Sequence, residues 1–129
     1  MEILTIKITD EKNLEEVYRR CGEIFFKKKI IKNKNKLLED IKYRESIGSI
    51  RIHNDFLLPH LISENINKLT VARVINYDDK ILFLLLNNEE ETTVAKIKHI
   101  IDNLLNKNYI DKLFTLPDEK FKEMILKNN

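Results

Sequence analysis

The chain has 129 residues, 43% of them hydrophobic and 34% charged, which is the length and balance of one globular domain, 1–129, whose core needs no disulfide or metal staple. With only Gly22 and Gly48, neither G-x-G-x-x-G nor G-x-x-x-x-G-K-S/T can be written, which excludes Rossmann dinucleotide and Walker-type nucleotide sites; the lone Cys21 excludes zinc clusters, Cys-x-x-Cys redox chemistry and a disulfide framework. Twenty-three basic against 21 acidic side chains, a net charge of +2, is too even to argue for nucleic acid.

Met1–Thr5 has no basic segment leading into a long apolar stretch, so it is not read as a signal peptide. Residues 3–8 read as a strand with Leu4, Ile6 and Ile8 on one face. Thr9-Asp10 then offers cap chemistry for a helix over about 12–28, whose stripe of Leu14, Val17, Tyr18, Cys21, Ile24 and Phe25 is spaced for burial. A second helix is expected over about 34–43, carrying Leu37, Leu38 and Ile41 and ending near Tyr43. An irregular stretch follows from Arg44 to His60, with β-like pieces at 50–52 and 56–58.

Two strands are expected next, Leu69–Ile75 and Lys80–Leu86, joined by the turn chemistry of Asn76-Tyr77-Asp78-Asp79. The second is apolar on both faces, as in a central strand covered by helices on both sides. Its run Ile81–Leu86 is the longest apolar one and falls far short of the ~20 residues of a membrane span. A helix over about 91–107 is expected to bury Val94, Ile97, Ile101, Leu104 and Leu105. A short helical turn around Tyr109–Phe114 and a last helix from Pro117, burying Phe121, Met124 and Ile125, close the chain. The order predicts an α/β fold, a single mixed β-sheet flanked by helices on both faces. No repeat or linker divides it, and the unpaired cysteine fits a reducing cytoplasm.

Several residues could carry chemistry. The basic run Lys27–Lys36 lacks interleaved aromatics and arginines and reads as a solvated surface rather than a nucleic-acid site. His99 reads as an exposed helix residue. His53, Asp55 and His60 lack the spacing of a metal site, and Cys21 on its buried stripe reads as core. His60 stands apart, since it follows Phe56-Leu57-Leu58-Pro59 at a strand end with its backbone restricted by proline. A neutral imidazole keeps a lone pair on one nitrogen, enough to attack phosphorus and form a phosphohistidine.

The segments Leu14–Ile24, Tyr43-Arg44-Glu45-Ser46 and Phe56-Leu57-Leu58-Pro59-His60 together resemble the mannitol/fructose-type enzyme IIA domain of the bacterial phosphoenolpyruvate-dependent sugar phosphotransferase system. In that family an Arg-Glu pair closes the second helix and an apolar-Pro-His motif follows, its histidine sixteen residues after the arginine, as His60 follows Arg44. Thr70–Val74, Ile81–Leu86, the helix at 91–107 and Asp118–Phe121 extend the resemblance over nearly the whole chain. Ile50, His53 and Asp55 stand where the family usually keeps small residues, and Thr93 stands where a second histidine is common.

The resemblance implies a relay in which the histidine phosphocarrier protein passes a phosphoryl group to His60 and an enzyme IIB domain receives it. It implies that Arg44 holds the phosphoryl oxygens, with Thr93 and Ser49 as weaker contacts, and that no metal or other cofactor takes part. The alternative it implies is a regulatory enzyme IIA-like domain of a transcription regulator or antiterminator. Such a domain changes its partner contacts on phosphorylation, or carries a drifted or inactive phosphorylation site.

Overall fold

The computed structural model describes residues 1–88 and 91–126. Its elements, in chain order, are β1 (Glu2–Lys7), α1 (Leu14–Lys27), α2 (Lys34–Ile47), β2 (Arg51–His53), β3 (Phe56–Leu57), β4 (His60–Ile62), β5 (Thr70–Ile75), β6 (Lys80–Leu86), α3 (Glu91–Asn103), α4 (Lys107–Thr115) and α5 (Asp118–Leu126). The strands form one mixed sheet in the order β1-β5-β6-β3-β2, with β4 also on β6. β5 and β6 pair antiparallel, whereas β1 joins β5 and both β3 and β4 join β6 in parallel. The α/β reading therefore holds, with six strands.

Alternation along each strand divides the core in two. Ile81, Phe83 and Leu85 face α1 and α2 together with Ile6, Ala72 and Val74. Leu82, Leu84 and Leu86 face α3, α4 and α5 together with Ile3 and Val71. The period of two sends successive side chains to opposite faces, so a strand apolar throughout is what a sheet covered on both sides requires. Leu4, Ile6 and Ile8 share the α1/α2 face as expected, and Cys21 is fully buried there.

Helix boundaries follow cap chemistry more than apolar spacing. Asn13, not Thr9-Asp10, caps α1, its side chain accepting from Glu16 N at 2.9 Å. Asn33 and Asn106 cap α2 and α4 in the same way. α2 continues to Ile47 rather than stopping near Tyr43, so Arg44 lies in its last turn, where a cation complements the helix dipole. The helix expected over 91–107 divides into α3 and α4 because Asn106 opens a new helix.

Two further differences concern α3. Ile100, not Ile101, joins the core, while Ile101, Val94 and Leu105 are exposed. His99 is half-buried rather than exposed, with Nε2 donating to the Ile125 carbonyl at 3.0 Å and tying α3 to α5. The fully buried Arg73 on β5 reaches the same helical layer. Its Nη1 donates to Leu113 O at 2.6 Å, Nε to Thr5 Oγ1 at 2.8 Å and Nη2 to Asp118 at 3.2 Å, with the guanidinium 4.4 Å from the Phe121 ring centre. Among the described residues no helix is long and apolar enough to cross a membrane.

Candidate active site

The site forms where β3 breaks off and β4 begins along the same edge of β6. Proline has no N–H to give the ladder, so the chain steps at Leu58-Pro59 and re-enters register at His60, opposite Leu84. The step leaves the Leu58 carbonyl beside the His60 ring, 3.2 Å from Nδ1. A carbonyl only accepts, so Nδ1 carries the proton and Nε2 is left with its lone pair.

Arg44 arrives from the last turn of α2. Its Nε and Nη2 point at His60 Nε2 at 3.1 and 3.0 Å, and its Nη1 donates to Gly48 O at 3.0 Å. One guanidinium thus closes the end of its own helix and covers the histidine lone pair. Burial holds the His60 pKa below its ordinary value of 6.5; Arg44 lowers it further, and the Leu58 hydrogen bond opposes both. The result is a neutral imidazole whose Nε2 lone pair meets a permanently charged guanidinium.

Two clefts adjoin His60, one of mixed character and one apolar. Asp40, Tyr43, Arg44, Ile47, Leu61 and Ile62 line one of about 480 Å³ with His60. Leu58, Ile62, Leu84, Leu86, Val94, Ile97 and Ile101 line the other, about 440 Å³, again with His60. The rim is exposed: Tyr43 and Ile47 are 69% and 67% accessible, and Ile62, Val94 and Ile101 are also open to solvent. Of the three residues displaced from the expected α3 stripe, Val94 and Ile101 therefore lie at the site, and Leu105 does not line it.

The structure brings His60 and Arg44 together and leaves the weaker candidates aside. Among the described residues, Arg44 and Leu58 supply the hydrogen bonds to the His60 ring. Ser49 is exposed and its Oγ accepts from Arg51 N at 3.0 Å. Thr93 is half-buried in the first turn of α3, next to Val94. His53 and Asp55 are engaged elsewhere, His53 with Leu104 O at 3.2 Å and Asp55 with Lys80 at 2.6 Å. No group of three His, Cys, Asp or Glu side chains that could hold a metal occurs among the described residues.

The bulky residues before Pro59 do not crowd the site. Ile50 is buried in the α1/α2 core, Arg51 pairs with Asp79 at 3.0 Å, and Lys80 holds the Asp55 carboxyl below its usual range. Positive φ among the non-glycine described residues is confined to Lys29 and Asn76, so no residue from Ile50 to Asp55 needs glycine's freedom. Sequence reasoning missed the Leu58 carbonyl and Gly48. The signals available were Pro59, which frees its neighbour from the ladder, and a glycine four residues past an arginine at a helix end.

A histidine and an arginine are thus joined at the edge of a mixed sheet. The chain belongs to the family described as phosphoenolpyruvate-dependent sugar phosphotransferase system, EIIA 2, whose model matches residues 2–128. The fold is similar to that of the nitrogen regulatory protein IIA-Ntr from Neisseria meningitidis, with a TM-score of 0.67 and 16% identity over 95% of this chain and 92% of that one. It is also similar to IIA mannitol from Escherichia coli, with a TM-score of 0.59 and 17% identity over 93% and 94% of the two chains. Among curated protein sequences none matches. Membership supports a phosphoryl-carrier role within the phosphotransferase system.

Proposed function

We propose that His60 accepts a phosphoryl group from the histidine phosphocarrier protein and passes it to an enzyme IIB domain in the cytoplasm. The observation that carries this reading is the pairing at His60, with Nδ1–H on the Leu58 carbonyl and the Nε2 lone pair facing Arg44. In transfer, the Nε2 lone pair forms the new N–P bond while the donor's N–P bond breaks and its electron pair returns to the donor nitrogen. The His60 ring gains positive charge, which the Leu58 carbonyl stabilises through Nδ1–H. The phosphoryl group spreads its charge over three oxygens, and a planar, always-charged guanidinium matches two of them. Thr93 and Ser49 would add at most a neutral hydroxyl donor each.

The exposed apolar rim of Tyr43, Ile47, Ile62, Val94 and Ile101 fits a protein donor and acceptor better than a small free substrate. The regulatory reading draws on one observation, the neutral Thr93 where the family commonly has a second histidine. The test is reconstitution with phosphoenolpyruvate, enzyme I and the histidine phosphocarrier protein, read by intact mass. One acid-labile phosphoryl group should be gained and lost again in His60→Ala. No uptake, or equal uptake by the variant, overturns the reading. Onward transfer to an enzyme IIB domain separates carrier from regulator.

A further inference from the structure

The resting site poses a difficulty for its own chemistry. Nε2 of His60 faces two Arg44 nitrogens, and a lone pair engaged by two N–H groups is not free to attack phosphorus. Arg44 must leave Nε2 before the N–P bond forms, yet stay close enough to meet the phosphoryl oxygens. Something must receive it.

Asp40 lies one helical turn before Arg44 on α2, the spacing at which side chains meet on one face, and it lines the same cleft as Arg44 and His60. Its Oδ1 is 3.2 Å from Lys36 Nζ. Its Oδ2 is buried and has no hydrogen-bond partner among the described residues, although the side chain as a whole is only 13% accessible. A buried carboxylate oxygen without a donor costs free energy, and such atoms in native proteins call for a reason. A second state of the site that supplies the donor is such a reason.

We propose that Asp40 is a positioning residue, the acceptor to which Arg44 swings when it uncovers Nε2 of His60. A guanidinium has two usable edges. With one edge on Asp40 Oδ2, the other faces the space in front of Nε2 where the phosphoryl group arrives. Asp40 touches neither phosphorus nor imidazole and acts through Arg44 alone. The inference rests on the phosphoryl-carrier reading above.

The experiment compares wild type, Asp40→Asn and Asp40→Glu, by rapid-quench mass measurement of phosphoryl uptake from the phosphorylated histidine carrier. Asp40→Asn should reach the same final stoichiometry about tenfold more slowly, and Asp40→Glu should recover most of the rate. Urea midpoints should match wild type, and nitrogen NMR of the unphosphorylated Asp40→Asn protein should still show Arg44 on Nε2. Normal uptake by wild type with equal rates in Asp40→Asn overturns the role of Asp40 and leaves the carrier reading standing. Slow uptake that Asp40→Glu does not rescue, or that follows a lowered urea midpoint, also overturns it. Failure of wild type itself to take up phosphoryl overturns both.

Discussion

Gly48 and Arg44 fit each other through a missing side chain. Nη1 of Arg44 donates to the Gly48 carbonyl at 3.0 Å, and a Cβ placed on Gly48 would stand 3.3 Å from that same nitrogen. The glycine is needed for this approach and not for its backbone, since φ is 165°, an extended conformation open to any residue. The helix end and the guanidinium position are therefore set by one contact.

Gly48→Ala should accordingly leave the fold intact and move the arginine. A shift of a few tenths of an ångström in a group that aligns the reaction lowers the transfer rate, here by about three- to tenfold. The urea midpoint should correspond to a change within about 0.5 kcal/mol. Stopped reactions read by mass, together with a urea melt, check both. An unchanged rate would show that Arg44 reaches His60 equally well without this space.

The lowered pKa of His60 fixes the direction of the pH dependence. Between its folded-state value and about 6.5 the unfolded chain binds the proton and the folded site does not. This contribution to stability is complete above about 6.5 and is lost as pH falls through the folded value. The neutral nucleophile persists over the same interval, so transfer should hold up as the medium turns mildly acidic. Arg44→Ala should raise the His60 pKa only part of the way towards 6.5, because burial is the larger cause. It should also cut the transfer rate by about a hundredfold without unfolding the domain. NMR titration of His60 in both proteins checks this, and an unmoved pKa would sink the electrostatic coupling.

Arg73 is expected to act on stability alone. Arg73→Met keeps much of the buried volume but removes the donor to the Leu113 carbonyl and the stack on Phe121. An orphaned buried acceptor costs about 1–3 kcal/mol, and the variant should lose about that much in urea denaturation. Asp118→Asn should lose less than about 1 kcal/mol, because the Asp118 side chain is 56% accessible and its pairing is screened by water. Equal losses in the two variants would contradict this assignment of the energy.

Much of the sheet and the helical order was legible in the chain because apolar spacing reports burial directly. Ile81–Leu86 read as a strand covered on both sides, His60 stood out by its place after Leu58-Pro59, and Arg44 entered through the family resemblance. What spacing could not resolve was a choice between neighbours. Ile100 and Ile101 both continue the stripe from Ile97, and the packing of α4 and α5 decides that Ile100 goes inward. β4 was hidden for a different reason: three residues after a proline carry little local signal, and their pairing with Leu84–Leu86 is long-range. The Leu58 carbonyl was invisible because a backbone atom has no letter in the sequence.

The parallel ladder of β1 on β5 has a consequence for how the chain is made. Glu2 pairs with Thr70 and Lys7 with Ile75, so during synthesis β1 waits for a partner 68 positions later. At ordinary rates of synthesis, roughly 5–20 residues per second, that wait is roughly 3–14 seconds. Throughout it Ile3 and Ile6, later buried, face water with their backbone groups unpaired, which is when a nascent strand is most open to wrong partners. The antiparallel β5–β6 hairpin, closed by a four-residue turn, is the local structure that ends the wait.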